Sequence, residues 1–140
     1  MKTVFITGAS SGIGQATAKA LAPNHRLILC GRRKERLEAL AQELNQTTET
    51  HILTFDVRNK EEVFQAVASL PEAWKDIDIL INNAGNAHGL SSFQDADIED
   101  LEAMIDINVK GLIYVTKAVL PLLLQHNRGG HIVNLSSIAG

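Results

Sequence analysis

The chain has 140 residues, 45% of them hydrophobic and 21% charged, enough for one domain with a real core and too apolar for a disordered segment. Its formal charge of −3 leaves no basic footprint for nucleic acid, and no apolar run long enough to span a membrane interrupts it, Ala118 to Leu124 being the longest without a charge. A single cysteine, Cys30, excludes an intrachain disulfide and fits a cytoplasmic protein, and the N-terminus shows no leader pattern.

Strand and helix patterns alternate from the start. Thr3-Val4-Phe5-Ile6 reads as a first strand and Gln15 to Leu21 as helix, and between them lies Thr7-Gly8-Ala9-Ser10-Ser11-Gly12-Ile13-Gly14. In that turn Gly8 lets the chain leave the strand sharply and Gly12 lets the backbone approach a pyrophosphate. Gly14 lets the helix pack against the sheet. The first helical N–H groups lack intrahelical acceptors and, with the helix dipole, favour a phosphate; Ser10 and Ser11 offer hydroxyls or a cap.

A second strand, Arg26 to Cys30, leads through Gly31-Arg32-Arg33 into a helix from Lys34 to about Leu44 with Leu37, Leu40, Ala41 and Leu44 on one face. The third strand, His51 to Phe55, closes on Asp56-Val57. Asn59 reads as the N-cap of a helix through about Leu70, which Pro71 stops. A fourth strand, Ile77 to Ile81, runs into Asn82-Asn83-Ala84-Gly85. A long helix from about Ile98 to Gln125 follows, with a kink or new start expected at Pro121. Gly129-Gly130 ends it, and His131 to Leu135 reads as the fifth strand before Ser136-Ser137-Ile138-Ala139-Gly140. The histidines (His25, His51, His88, His126, His131) read as loop and helix-end residues, with no metal-ligand spacing among them.

Strands joined by helical crossovers predict an α/β, Rossmann-like doubly wound parallel sheet whose ligand sits beyond the strands' carboxyl ends. Every unusual tip falls at such an end, which makes one dinucleotide site of separate segments. The second strand ends without the acid that would bind a ribose 2′-hydroxyl. Arg32 and Arg33 stand there instead and would attract a 2′-phosphate, so NADP(H) is expected over NAD(H). Arg36 reads as part of a solvated basic helix start.

Taken together these tips resemble the short-chain dehydrogenase/reductase family over the whole chain. Thr7 to Gly14 is similar to its cofactor loop, Asp56-Val57 to its adenine-contact pair and Asn82 to Gly85 to its signature after the fourth strand. Asn108 in Asn108-Val109-Lys110-Gly111 is similar to its catalytic asparagine, and Ser136 to Gly140 to its serine motif. The resemblance implies strand order 3-2-1-4-5, with Gly8, Ser10, Ser11, Gly12, Ile13, Gly14, Arg32, Arg33, Asp56, Val57, Asn83, Ala84 and Gly85 at the cofactor. Asn82 and Asn83 are expected to fix the sheet end through their side chains. Asn108 would hold a helix irregularity and a relay water, and Ser137 would hydrogen-bond a substrate carbonyl oxygen. Hydride transfer between nicotinamide and a small alcohol or carbonyl substrate is the implied reaction, and Gly31 to Leu37 and Leu70 to Asp78 resemble the branch that oxidises serine and other 3-hydroxy acids with NADP.

Members of that family are longer and carry Tyr-x-x-x-Lys beyond the serine; Tyr114, the lone tyrosine, precedes it and reads as a helix packing or surface residue. Residues 1–140 are therefore expected to form a dinucleotide-binding domain incomplete at its C-terminus. Such a domain would be inactive by itself, with an open edge beside the fifth strand that promotes aggregation. A homo-oligomer, dimer or tetramer, is implied at full length. The alternative is a non-catalytic dinucleotide-binding or interaction module.

Overall fold

A computed structural model describes residues 1–85 and 93–135. Its strands are β1 (Lys2–Ile6), β2 (His25–Gly31), β3 (Thr50–Thr54), β4 (Ile79–Asn82) and β5 (His131–Asn134), all parallel, in the order β3-β2-β1-β4-β5. The helices are α1 (Gly12–Leu21), α2 (Lys34–Leu44), α3 (Lys60–Ala68), α4 (Ile98–Ile105) and α5 (Leu112–Gln125). The order is the expected one. β1 lies between β2 and β4, so the chain reverses direction across the sheet beside it, and a crevice opens there at the carboxyl ends.

Both faces of the sheet are covered, and the alternation of side chains along each strand divides the core in two. Phe5, Ile28, Leu80, Val63, Val67, Val115, Val119 and Leu123 pack on the side of α3 and α5. Val4, Ile6, Leu27, Leu29, Leu37, Leu40 and Leu44 pack on the side of α1 and α2. In β1 the neighbours Val4 and Phe5 thus face opposite layers, and both are fully buried. A central parallel strand has to be apolar at every position for that reason.

Local chemistry sets the helix limits. Asn59 caps α3 as expected, its Oδ1 accepting from the Glu62 N–H at 3.1 Å. Helix α2 spans the expected Lys34–Leu44. Ile77, expected at the start of the fourth strand, is fully buried but precedes β4.

The long helical segment differs from expectation at Pro121. It runs through Pro121 without a break inside α5, with the proline on an exposed face. The break in regularity comes earlier, where Asp106–Gly111 forms a π-helical turn between α4 and α5. Ile98–Gln125 is long and apolar enough to cross a membrane by length and composition. In this fold it is a core helix, with Val115, Val119 and Leu123 buried against the sheet. The histidines also differ from expectation: His25, His51 and His131 lie in strands, and only His126 ends a helix. His88 lies outside the described residues.

A polar cluster closes the end of the sheet opposite the crevice. Asp78 accepts from the Thr3 N–H and from the Arg128 guanidinium, each at 3.0 Å. His126 joins it, with Nε2 at 2.7 Å from the Ile77 carbonyl and Nδ1 accepting from the Arg128 N–H at 3.2 Å. Nδ1 can accept only when it carries no proton, so Nε2–H is the donor to Ile77. Burial pushes Asp78 up, but the Thr3 N–H, Arg128 and His126 outweigh it and hold the carboxyl below its usual range.

Candidate functional site

The chain leaves β1 at Thr7 and turns on Gly8, whose φ of +63° is open to glycine and strained for other residues. The turn is held from across the crevice. Thr7 Oγ1 accepts from the N–H groups of Asn83 and Ala84, both at 3.0 Å, while Asn83 Nδ2 donates to the Gly8 carbonyl at 3.1 Å. Thr7, a buried residue read from sequence as the first of the glycine turn and given no role of its own, therefore ties the β1 turn to the β4 turn. Asn82 fixes the next strand over, its amide donating to Asn134 Oδ1 at 2.9 Å and Thr116 Oγ1 at 3.0 Å.

Gly14 sits where α1 crosses this turn. A Cβ there would overlap the Gly8 carbonyl oxygen and Asn83 Nδ2, so glycine lets the helix lie against the turn. Gly12 differs: its φ is +58°, and the space a Cβ would occupy is empty. Ser11 occupies the N-cap position of α1, but its side chain makes no capping bond. The first N–H groups of α1 are thus left for solvent or a bound anion.

These turns, with the ends of β2 and β3, enclose a cavity of about 300 Å³. Gly8, Ser10, Ser11, Arg32, Arg33, Asp56, Val57, Ala84 and Gly85 line it, together with Thr7, Cys30, Gly31, Arg36, Phe55 and Ile107. Gly12, Ile13, Gly14 and Asn83 are not in its wall: Ile13 is exposed, and Gly14 and Asn83 support the turn from behind. Arg36, read from sequence as a solvated helix start, faces the cavity because it lies one helical turn beyond Arg33, the N-cap residue of α2. Cys30 forms part of the floor, and burial pushes its thiol well above the usual range, so it is not a nucleophile.

The charges are unevenly matched. Asp56 is the sole carboxylate on the cavity wall among the described residues, facing Arg32, Arg33 and Arg36. Its oxygens are already taken by a residue that sequence reasoning passed over. Arg58 Nε lies 3.1 Å from both Oδ1 and Oδ2, Nη2 lies 2.7 Å from Oδ2, and the Arg58 N–H donates to Oδ1 at 3.0 Å. The Arg58 hydrogen bonds hold the Asp56 carboxyl below its usual range against the opposing effect of burial. Arg32 Nη1 stands off at 4.0 Å from Oδ2. No ion-pair partner within 4.0 Å is present for Arg33 or Arg36 among the described residues.

Asn108 lies in the π-helical turn, 3.1 Å from the point a Cβ on Gly85 would reach. That places a polar side chain on the rim formed by the β4 turn. Gly111 ends the same turn, and its missing side chain lets it rest on Val57. The asparagine at a helix irregularity matches expectation in position. Ser136 and Ser137 lie outside the described residues. Tyr114 is partly buried against the α3–α5 side of the core.

Known proteins with this sequence pattern also share the arrangement. The chain is 50% identical over 138 residues to an NADP-dependent 3-hydroxy acid dehydrogenase, YdfG, of Salmonella typhi, covering 98% of this chain and 54% of that protein. It is 48% identical over 138 residues to sulfoacetaldehyde reductase 2 of Chromohalobacter salexigens, covering 98% of this chain and 55% of the reductase. The fold superposes on the closed form of a serine dehydrogenase complexed with NADP+ with a TM-score of 0.90 at 45% identity, over 99% of this chain and 55% of the other. A serine dehydrogenase from Escherichia coli gives the same TM-score, 0.90, at 44% identity over 98% of this chain and 62% of that one. The chain spans about half the length of the curated relatives it matches. A family model described as short chain dehydrogenase matches residues 2–140, so the chain with its crevice at the β1–β4 switch point belongs to the short chain dehydrogenases.

Proposed function

We propose that this chain is the cofactor-binding portion of an NADP(H)-dependent oxidoreductase acting on a small alcohol or carbonyl substrate of the 3-hydroxy acid class. One observation carries the cofactor choice. Among the described residues Arg33 and Arg36 face the cavity without an ion-pair partner, Arg32 is only loosely held, and the one carboxylate on the wall is saturated by Arg58. Such a surplus of guanidinium favours a phosphate dianion over a bare ribose hydroxyl.

The residues present fit the adenosine half of the dinucleotide. Val57 and Asp56 stand at the base end, Arg32 and Arg33 at the 2′-phosphate, and the N-terminus of α1 at the pyrophosphate. Bound there, the nicotinamide would supply a hydride donor or acceptor at C4. Ala84 and Gly85 let the backbone approach the ribose, and Asn108 orients a proton-relay water beside them. Ser137 holds the substrate oxygen. The names of the relatives support a substrate that is small and anionic. The full enzyme is a cytoplasmic homo-oligomer in this reading.

The test is titration with NADP+ and NAD+ of the protein and of Arg32→Ala/Arg33→Ala. Each charge-assisted hydrogen bond lost should weaken NADP+ by roughly 1.5–3 kcal/mol, about tenfold to a hundredfold, with NAD+ little changed. Equal affinity of the parent protein for the two cofactors refutes the assignment.

A further inference from the structure

We propose that Arg58 is a positioning residue for cofactor choice: by occupying both oxygens of Asp56 it keeps that carboxylate from capturing Arg32, and so leaves the Arg32 guanidinium available to a 2′-phosphate. The inference rests on the NADP(H) reading above and concerns a residue outside the cavity wall.

The geometry is that of a carboxylate between two cations, bonded to one and not the other. Four donor contacts of 2.7–3.1 Å run from Arg58 to Asp56, from the Nε and Nη2 of its guanidinium and from the backbone N–H. The N–H contact is local, between residues two apart, and survives any side-chain change at position 58. Arg32 approaches the same carboxylate only to 4.0 Å, beyond hydrogen-bond distance, with its side chain 51% exposed. Removal of the Arg58 side chain would open Oδ2 and leave Oδ1 with the Arg58 N–H alone, and Arg32, 4.0 Å from Oδ2, is the nearest remaining cation among the described residues. A movement of about 1 Å would close that pair. A 2′-phosphate would then have to break it, whereas a ribose hydroxyl would meet no such competition. The loss is therefore specific to the phosphorylated ligand. A purely structural role for Arg58 in the β3–α3 turn would weaken both ligands alike.

Calorimetric titration of the full chain with 2′,5′-ADP and with 5′-AMP reads that difference, since the two probes differ by the 2′-phosphate alone. The Arg58→Ala variant should lose about fivefold in its preference for 2′,5′-ADP, the scale of one solvent-screened charge pair at this distance. Arg58→Lys keeps a cation near Asp56 without the fork and should fall between the two, which preserves the test if the alanine variant does not fold. The double variant Arg58→Ala/Asp56→Asn should regain the parental preference, because nothing remains to capture Arg32. Equal weakening of both probes, an unchanged ratio in Arg58→Ala and Arg58→Lys, or no recovery in the double variant overturns the proposal. A parent protein that does not prefer 2′,5′-ADP at all overturns instead the NADP(H) reading on which it rests.

Discussion

Replacement of Gly14 by alanine tests whether the close contact of α1 with the β1 turn holds the site together. The side chain it would add overlaps the Gly8 carbonyl oxygen and Asn83 Nδ2, and lies 2.7 Å from the Gly8 carbonyl carbon. Two of these three atoms are backbone, so no rotamer change relieves the clash. Overpacking of this kind costs about 1–3 kcal/mol. Pushing Asn83 aside also breaks its 3.1 Å bond to Gly8, at roughly 0.5–1.5 kcal/mol. Against this stands the better helix propensity of alanine, worth about 1 kcal/mol. The expected net loss is about 2 kcal/mol, a fall in melting temperature of about 7 °C for a chain of this size. Thermal unfolding followed by far-ultraviolet circular dichroism measures it, with Gly12→Ala as companion. There the added carbon has empty space around it and pays only for a positive φ, so about 1 kcal/mol is expected. A Gly14→Ala protein as stable as its parent, or less affected than Gly12→Ala, refutes the packing argument.

Other consequences can be checked in parallel. Gly111→Ala would bring a Cβ to 2.8 Å from Val57 Cγ2, and should cost about 1–3 kcal/mol while weakening 2′,5′-ADP and 5′-AMP alike, because Val57 is at the base end and not at the phosphate; selective loss of one probe in calorimetry contradicts this. Asp56 and Asp78 titrate lower in the folded protein than in the unfolded chain, so the unfolded chain takes up protons first as the pH falls. The stability they contribute is complete above about pH 5 and declines as the pH drops through about 4 and below. Burial lowers His51 as well, which adds a separate loss that starts near pH 7 on acidification and levels off below its folded pKa. Melting temperatures measured from pH 8 to 3 should show both declines, and the lower one should shrink in Asp78→Asn; a melting temperature that rises toward acid is the contrary result. Removing the charges of Arg32 and Arg33 should separate NADP+ from NAD+ binding as set out above.

The candidate site was legible in outline because its parts are short and chemically constrained. A turn with φ near +60° at Gly8 and Gly12 needs glycine, and such a turn after a β-branched run and before a helix names its own place. The supports behind it were not legible. Thr7 reads only as the first residue of the glycine turn until β4 is laid beside β1 and two N–H groups point at its hydroxyl. Asn83 is expected from sequence to fix the sheet end, but only the structure shows that the partner of its amide is the Gly8 carbonyl. Arg36 and Arg58 look like solvated charges, since nothing in a linear sequence says that one shares a cavity with Arg33 and the other saturates Asp56.

The sequence by itself determined the five strands, their parallel direction and the end of the sheet where a ligand would sit, because those follow from local periodicity, from glycine and from the helical crossovers; the order of the strands was implied by the family resemblance. The tertiary structure decided which charges are spent and which are free. It also decided that the long helix runs unbroken through Pro121, which lies on an exposed face of α5, while the irregularity expected at Asn108 is a π-helical turn that meets Val57 and Gly85 across the crevice. Pairing between side chains distant in sequence depends on the packing of whole elements, and no local pattern encodes it.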